Sequence, residues 1–81
     1  PFNASTVIPF SLTSRAYVKL VIYDVTGNKV RVLVDGVKET GYYNARWNGR
    51  DDSDKEVASG IYFCRYTTGN FTQTKKMVLL K

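Results

Sequence analysis

Hydrophobic and polar residues alternate along this chain in short runs, and Gly, Asn or Asp interrupts each run. A period of two at such short spacing predicts antiparallel strands rather than helices. The first run is Thr6–Leu12, where Pro9 cannot donate to a ladder and so marks an edge strand or a bulge. Residues 17–24 give the clearest strand, with Val18, Leu20 and Ile22 facing the core and Tyr17, Lys19, Val21 and Tyr23 facing away. Val25, Thr26, Gly27 and Asn28 supply a tight turn, and residues 30–34 return as the hairpin partner. Asp35-Gly36 and Gly41 bracket a polar loop. Residues 42–47 put Tyr43, Ala45 and Trp47 on one face, with Trp47 as the core centrepiece. After a loop over residues 48–59, residues 60–67 place Tyr62, Cys64 and Tyr66 on one face and Ile61, Phe63 and Arg65 on the other. Thr68-Gly69-Asn70 turns the chain into a last strand over residues 71–80. Six strands, or seven if one is broken, predict an all-β single domain over residues 1–81. The expected architecture is an antiparallel sandwich of the immunoglobulin or fibronectin-III type.

Composition changes this picture in two ways. With 81 residues, 43% of them hydrophobic, the chain supports one core with a thin stability margin. The net charge is +5, and four of the seven acids lie within residues 51–56, so the rest of the body is more basic still. That balance favours anionic partners such as nucleic acid, lipopolysaccharide or acidic membrane surfaces.

Candidate chemistry is sparse. There is no histidine and one cysteine, which removes the commonest general base and any thiolate metal cluster. No enzymatic activity, cofactor or metal is expected. Asp52, Asp54 and Glu56 alternate as calcium ligands do, but the positions where an EF-hand needs Gly and Glu hold Val57 and Phe63. The acids read instead as a solvated turn capping backbone amides. Cys64 reads as a small buried hydrophobe. Lys19, Arg46 and Arg65 are expected to point outward near Tyr17, Tyr23 and Phe63. That interleaving suits single-stranded nucleic acid, yet outward cations commonly only keep a sheet soluble, and nucleic acid is not expected as a partner. Tyr17, Val21, Tyr23, Ile61 and Phe63 form a candidate docking patch for a neighbouring domain. Two glycosylation triplets, Asn3-Ala4-Ser5 and Asn70-Phe71-Thr72, are of a kind that arises often by chance.

Five motifs carry a resemblance that spans nearly the whole chain. They are Pro1-Phe2-Asn3 with Ser5-Thr6; Tyr23-Asp24-Val25-Thr26-Gly27; Trp47-Asn48-Gly49-Arg50-Asp51-Asp52; Val57-Ala58-Ser59-Gly60-Ile61-Tyr62-Phe63; and Lys76-Met77-Val78-Leu79-Leu80-Lys81. In this order and spacing they resemble the type A C-terminal sorting domain of the type IX (Por) secretion system. That module is itself similar to the immunoglobulin-like domain of the flagellar hook-capping protein. The resemblance implies a β-sandwich at the end of a larger secreted protein of a Gram-negative bacterium. Such a domain guides its upstream cargo from the periplasm through an outer-membrane translocon to the cell surface or medium. A sortase then removes it in many members and links the cargo to lipopolysaccharide. Lys76, Met77, Val78, Leu79, Leu80 and Lys81 match the recognition motif. Gly27, Trp47, Gly49, Gly60 and Tyr62 match structural positions. Three departures are local: Ala4 stands where the family commonly has proline, Asn48 replaces the usual aspartate, and Asp54 replaces a common glycine.

The residues alone support a non-enzymatic basic sandwich whose last strand can be read as a strand or as an address. The alternative reading is a structural or carbohydrate-associated accessory module of an extracellular enzyme, with Tyr42 or Phe63 as the exposed sugar-facing aromatic. A hook-assembly role is disfavoured, since that family's characteristic N-terminal region is absent from the 81 residues.

Overall fold

The computed structural model describes residues 5–80, which form six strands in two antiparallel sheets. The strands are β1 (Thr6–Leu12), β2 (Ala16–Tyr23), β3 (Lys29–Lys38), β4 (Gly41–Trp47), β5 (Gly60–Thr68) and β6 (Phe71–Leu79). One sheet is β1-β4; the other runs β3-β2-β5-β6. In immunoglobulin lettering the second order is C′-C-F-G and the first pair is B-E. Among the described residues, no strand occupies the A position beside β1 or the D position beside β4.

The core follows the alternation. Val18, Leu20, Ile22 and Trp47 are fully buried, and Tyr62, Cys64, Val30, Leu79 and Leu12 are buried with them. The part-buried Ile8, Phe10, Ala45, Tyr66 and Met77 pack against this centre.

Two details differ from the expectation. Asp35 and Gly36 do not open a loop: they lie inside β3, which continues to Lys38 because Ala16, Tyr17 and Val18 pair with Lys38, Val37 and Gly36. The Tyr17 hydroxyl donates to the Asp35 carboxylate across the same ladder. Val21 does not face solvent, being only 2% exposed. It lies opposite Arg65 in β5 and Val32 in β3, and the Arg65 guanidinium sits 4.9 Å from the Tyr23 ring centre, so long side chains bridge over it. Register shifts in the β2–β3 ladder also leave Leu33 and Val30 as extra residues of β3. Both are apolar and both contribute to the core, so the bulges add core side chains that strict alternation would not supply.

The β2–β3 turn forms as its residues suggest. Gly27 takes φ +87°, a conformation that disfavours any Cβ. Asp24 Oδ1 accepts from the Thr26 amide at 2.9 Å, the Thr26 hydroxyl at 2.6 Å and the Asn28 amide at 3.0 Å. These bonds hold the Asp24 carboxyl below the usual aspartate range, the Thr26 hydroxyl contributing most.

Candidate recognition edge

One end of the sandwich is tightly closed. Trp47 and Tyr62 meet edge-on, with ring centres 5.1 Å apart. The Trp47 indole N–H donates to the Arg50 carbonyl at 3.0 Å, and the Tyr62 hydroxyl donates to the Ala58 carbonyl at 2.6 Å. Tyr62 stands two residues before Cys64 and bonds four residues upstream, the arrangement of an immunoglobulin tyrosine corner. Burial is the main cause of the raised Tyr62 pKa, with the Asp24 charge second. Gly49 is buried at φ +75° and its carbonyl accepts from the Val57 amide at 3.0 Å. The matched structural positions Trp47, Gly49 and Tyr62 thus come together here, while Gly60 starts β5 opposite Leu79 and Gly27 serves the separate β2–β3 turn.

The acidic loop closes one sheet edge. The Asp51 carboxylate accepts from the Ser53 and Lys55 amides at 2.9 and 3.0 Å. The Asp52 amide donates to the Val30 carbonyl at 2.9 Å, and its carboxylate accepts from the Val32 amide at 3.1 Å. Asp52 therefore occupies the outer edge of β3 at Val30 and Val32. Asp54 takes φ +64° at the position where the resembled family commonly has glycine.

The opposite edge of the same sheet, β6, has no ladder partner beyond β5 among the described residues. The proposed recognition residues lie at its end. Met77 and Leu79 turn inward, opposite Tyr62 and Gly60. Lys76, Val78 and Leu80 are exposed, Val78 at 60% and Leu80 at 74%. The run is a strand and a display surface at once, split by parity. Lys81 and the motif Pro1-Phe2-Asn3 lie outside the described residues, as does the asparagine of the first glycosylation triplet; Asn70 is exposed in the β5–β6 turn.

Sequence reasoning missed the groove beside β6. It measures about 280 Å³ and opens between β1 and β6, with Leu20 and Cys64 at its floor. Phe71, Gln73 and Lys75 line it from β6. The signal was present: counting back by two from Leu79 and Met77, the core-facing positions become Lys75 and Gln73, polar where a covered strand would be apolar. Burial raises the Cys64 thiol pKa to about 11, with Lys75 opposing weakly.

The basic outer face is smaller than expected. Arg46 lies on β4 in the other sheet and donates to Ser5 Oγ at 3.3 Å, apart from Lys19 and Arg65. Of the expected patch, Val21 is covered, the Tyr17 hydroxyl is bonded and Tyr23 carries Arg65. Tyr17 and Ile61 keep exposed surface.

Comparison with protein families gives a match to the FlgD Ig-like domain over residues 3–70, which runs from before β1 through the β5–β6 turn. No curated protein and no solved structure gave a significant match. The strand order, the tyrosine corner and a family match over most of the chain agree: the chain belongs to the FlgD Ig-like domain family.

Proposed function

We propose that this domain is a non-enzymatic sorting signal that directs an exported cargo through the outer-membrane type IX translocon, for release or surface anchoring. The observation that carries the reading is the exposure of Lys76 and Val78 along an edge strand and of Leu80 just past its end. An edge strand offers unpaired amides and carbonyls to another sheet, and alternate side chains give the pairing its specificity. The motif resemblance supplies the translocon, the sortase and the lipopolysaccharide anchor as partners.

The test fuses the chain to a periplasmically exported reporter in a bacterium with a working type IX system. Deleting residues 76–81 would remove Met77 and Leu79 from the core, so substitution is the cleaner perturbation. The triple variant Lys76→Glu, Val78→Asp, Leu80→Asp alters only exposed side chains. The unaltered fusion is expected at the surface or in the medium, and the triple variant in the periplasm, folded by circular dichroism. Retention of both fusions overturns the sorting reading. Export of both overturns the assignment to this edge.

A second reading, a polysaccharide-binding accessory module, rests on Tyr42, which is 95% exposed on β4. It requires tyrosine fluorescence to change on titration with oligosaccharide and that change to vanish in Tyr42→Ala.

A further inference from the structure

The groove between β1 and β6 occupies the side of the sandwich where strand A of an immunoglobulin domain lies. Its two borders are unequal templates. β1 carries Pro9, which lacks an amide proton. β6 is nine residues long, contains no proline, and pairs with β5 without a register shift. On the other edge of the sheet Asp52 bonds β3 at Val30 and Val32, whereas no strand of the described residues pairs with the outer edge of β6.

The lining has a definite chemistry. Ile8, Phe10, Leu20 and Tyr66 offer apolar and aromatic surface, and the Phe10 ring lies 5.5 Å from that of Tyr66. Among the described residues, Lys75 is the single charged one that lines it. Neither β5 nor β6 contains an acid. A second copy of β6 is disfavoured as the occupant, because each copy would bring Lys75 and Lys76 to the shared edge, and like charges facing across a ladder are destabilising.

We infer that this groove receives an extended segment of another polypeptide, added as a strand to the free edge of β6, with apolar side chains in the groove and a carboxylate opposite Lys75. Residues directly opposite in a ladder share a face, so the position facing Lys75 points into the groove, with Cβ atoms about 4.5–5.5 Å apart. Apolar residues two positions to either side meet the surface around Tyr66, Phe71 and Phe10. The sorting reading uses the same edge through Lys76, Val78 and Leu80 on its outer face; this inference concerns the inward face, with Lys75 and the groove, and its peptide titration is read without any export step.

The test titrates the isotopically labelled chain with capped nonapeptides that alternate threonine and valine. One carries glutamate in place of the central valine; its twin carries lysine there. The glutamate peptide is expected to bind saturably, to shift the amides of β6 and of residues 8–11, and to bind about fivefold more tightly than its twin. Lys75→Glu reverses that order and Lys75→Gln abolishes the preference; circular dichroism shows both variants folded. Four results overturn the inference: equal affinity of the two peptides, no saturable shift at millimolar peptide, shifts on another face, or dimerisation of the chain alone through β6 in sedimentation.

Discussion

Replacing Tyr62 by Phe removes one oxygen and nothing else from the closed end of the sandwich. The hydroxyl donates to the Ala58 carbonyl at 2.6 Å, and the ring, 7% exposed, packs edge-on against Trp47. The ring contacts survive in Phe, so the loss is the net worth of one neutral hydrogen bond, about 0.5–1.5 kcal/mol. Ala58 itself is exposed, so water can replace the lost donor. That places the expected cost at about 1 kcal/mol rather than at the larger penalty of a stranded buried carbonyl. In a domain this small, about 1 kcal/mol lowers Tm by roughly 4–8 °C. The urea midpoint should fall with m unchanged, because the surface exposed on unfolding is the same. Trp47, the single tryptophan, reports the transition. Tyr62→Leu also discards the aromatic contact and should cost about 2–3 kcal/mol.

The same residue gives a pH test with a fixed sign. Burial raises the folded Tyr62 pKa above its ordinary value, and the Asp24 charge adds to the shift. A raised pKa contributes stability that is complete below the unfolded pKa of about 10 and disappears as pH rises through the folded value. The gap between the natural chain and Tyr62→Phe should therefore narrow above pH ~10. A cost below about 0.3 kcal/mol, or a gap that widens in alkali, would refute the claim that this hydroxyl anchors the loop.

Three further outcomes follow from local geometry. Cys64, with its pKa raised from 9.0 to about 11, should react with a disulfide reagent at pH 8 about a hundredfold more slowly in the folded chain than in urea, from thiolate fractions alone. Asp54→Gly should raise stability by about 0.5–1 kcal/mol in thermal melts, because φ +64° burdens a side chain and not a glycine. Asp24→Ala should lower stability above pH ~4 and flatten the acid limb below it, since the depressed Asp24 pKa contributes stability that is lost as pH falls through the folded value.

The alternation made five of the six strands legible to within about two residues, because one buried face imposes a period of two. Asp35-Gly36 carries loop chemistry, so the pattern alone ends β3 at Val34. What holds it in the sheet is pairing with β2, a tertiary contact that outweighs local propensity. Val21 departs from the pattern for a related reason: parity gives its direction, but its burial depends on the neighbouring strands, where Arg65 lies opposite it and reaches to the Tyr23 ring. Parity alone puts Arg46 with Lys19 and Arg65, because sequence shows which strands alternate and not which sheet each one joins. The end of β6 was legible as a motif. The groove was not, because the polar inward positions Gln73 and Lys75 gain meaning only when β1 is seen to leave them uncovered.

The two edges of the four-stranded sheet explain how so small a domain can hold a stable end and an open one. An exposed edge invites aggregation, and on β3 that hazard is met at Val30 and Val32 by the Asp52 amide and carboxylate. On β6 it is met only with charge, Lys75 inward and Lys76 outward. Lysines repel a second copy of themselves but not an acidic strand, so they protect the edge against self-association while leaving it selective. The closed end supplies the rigidity such an edge needs. Leu79 and Met77 tie the end of β6 to Gly60 and Tyr62, and Tyr62 is fixed in turn by Trp47 and Ala58. An incoming strand then meets a template already ordered and loses little of its binding free energy to ordering β6. Loosening the closed end by Tyr62→Phe should accordingly weaken peptide addition at β6 only modestly, whereas Lys75→Glu should reverse its charge preference without changing Tm by more than a degree or two.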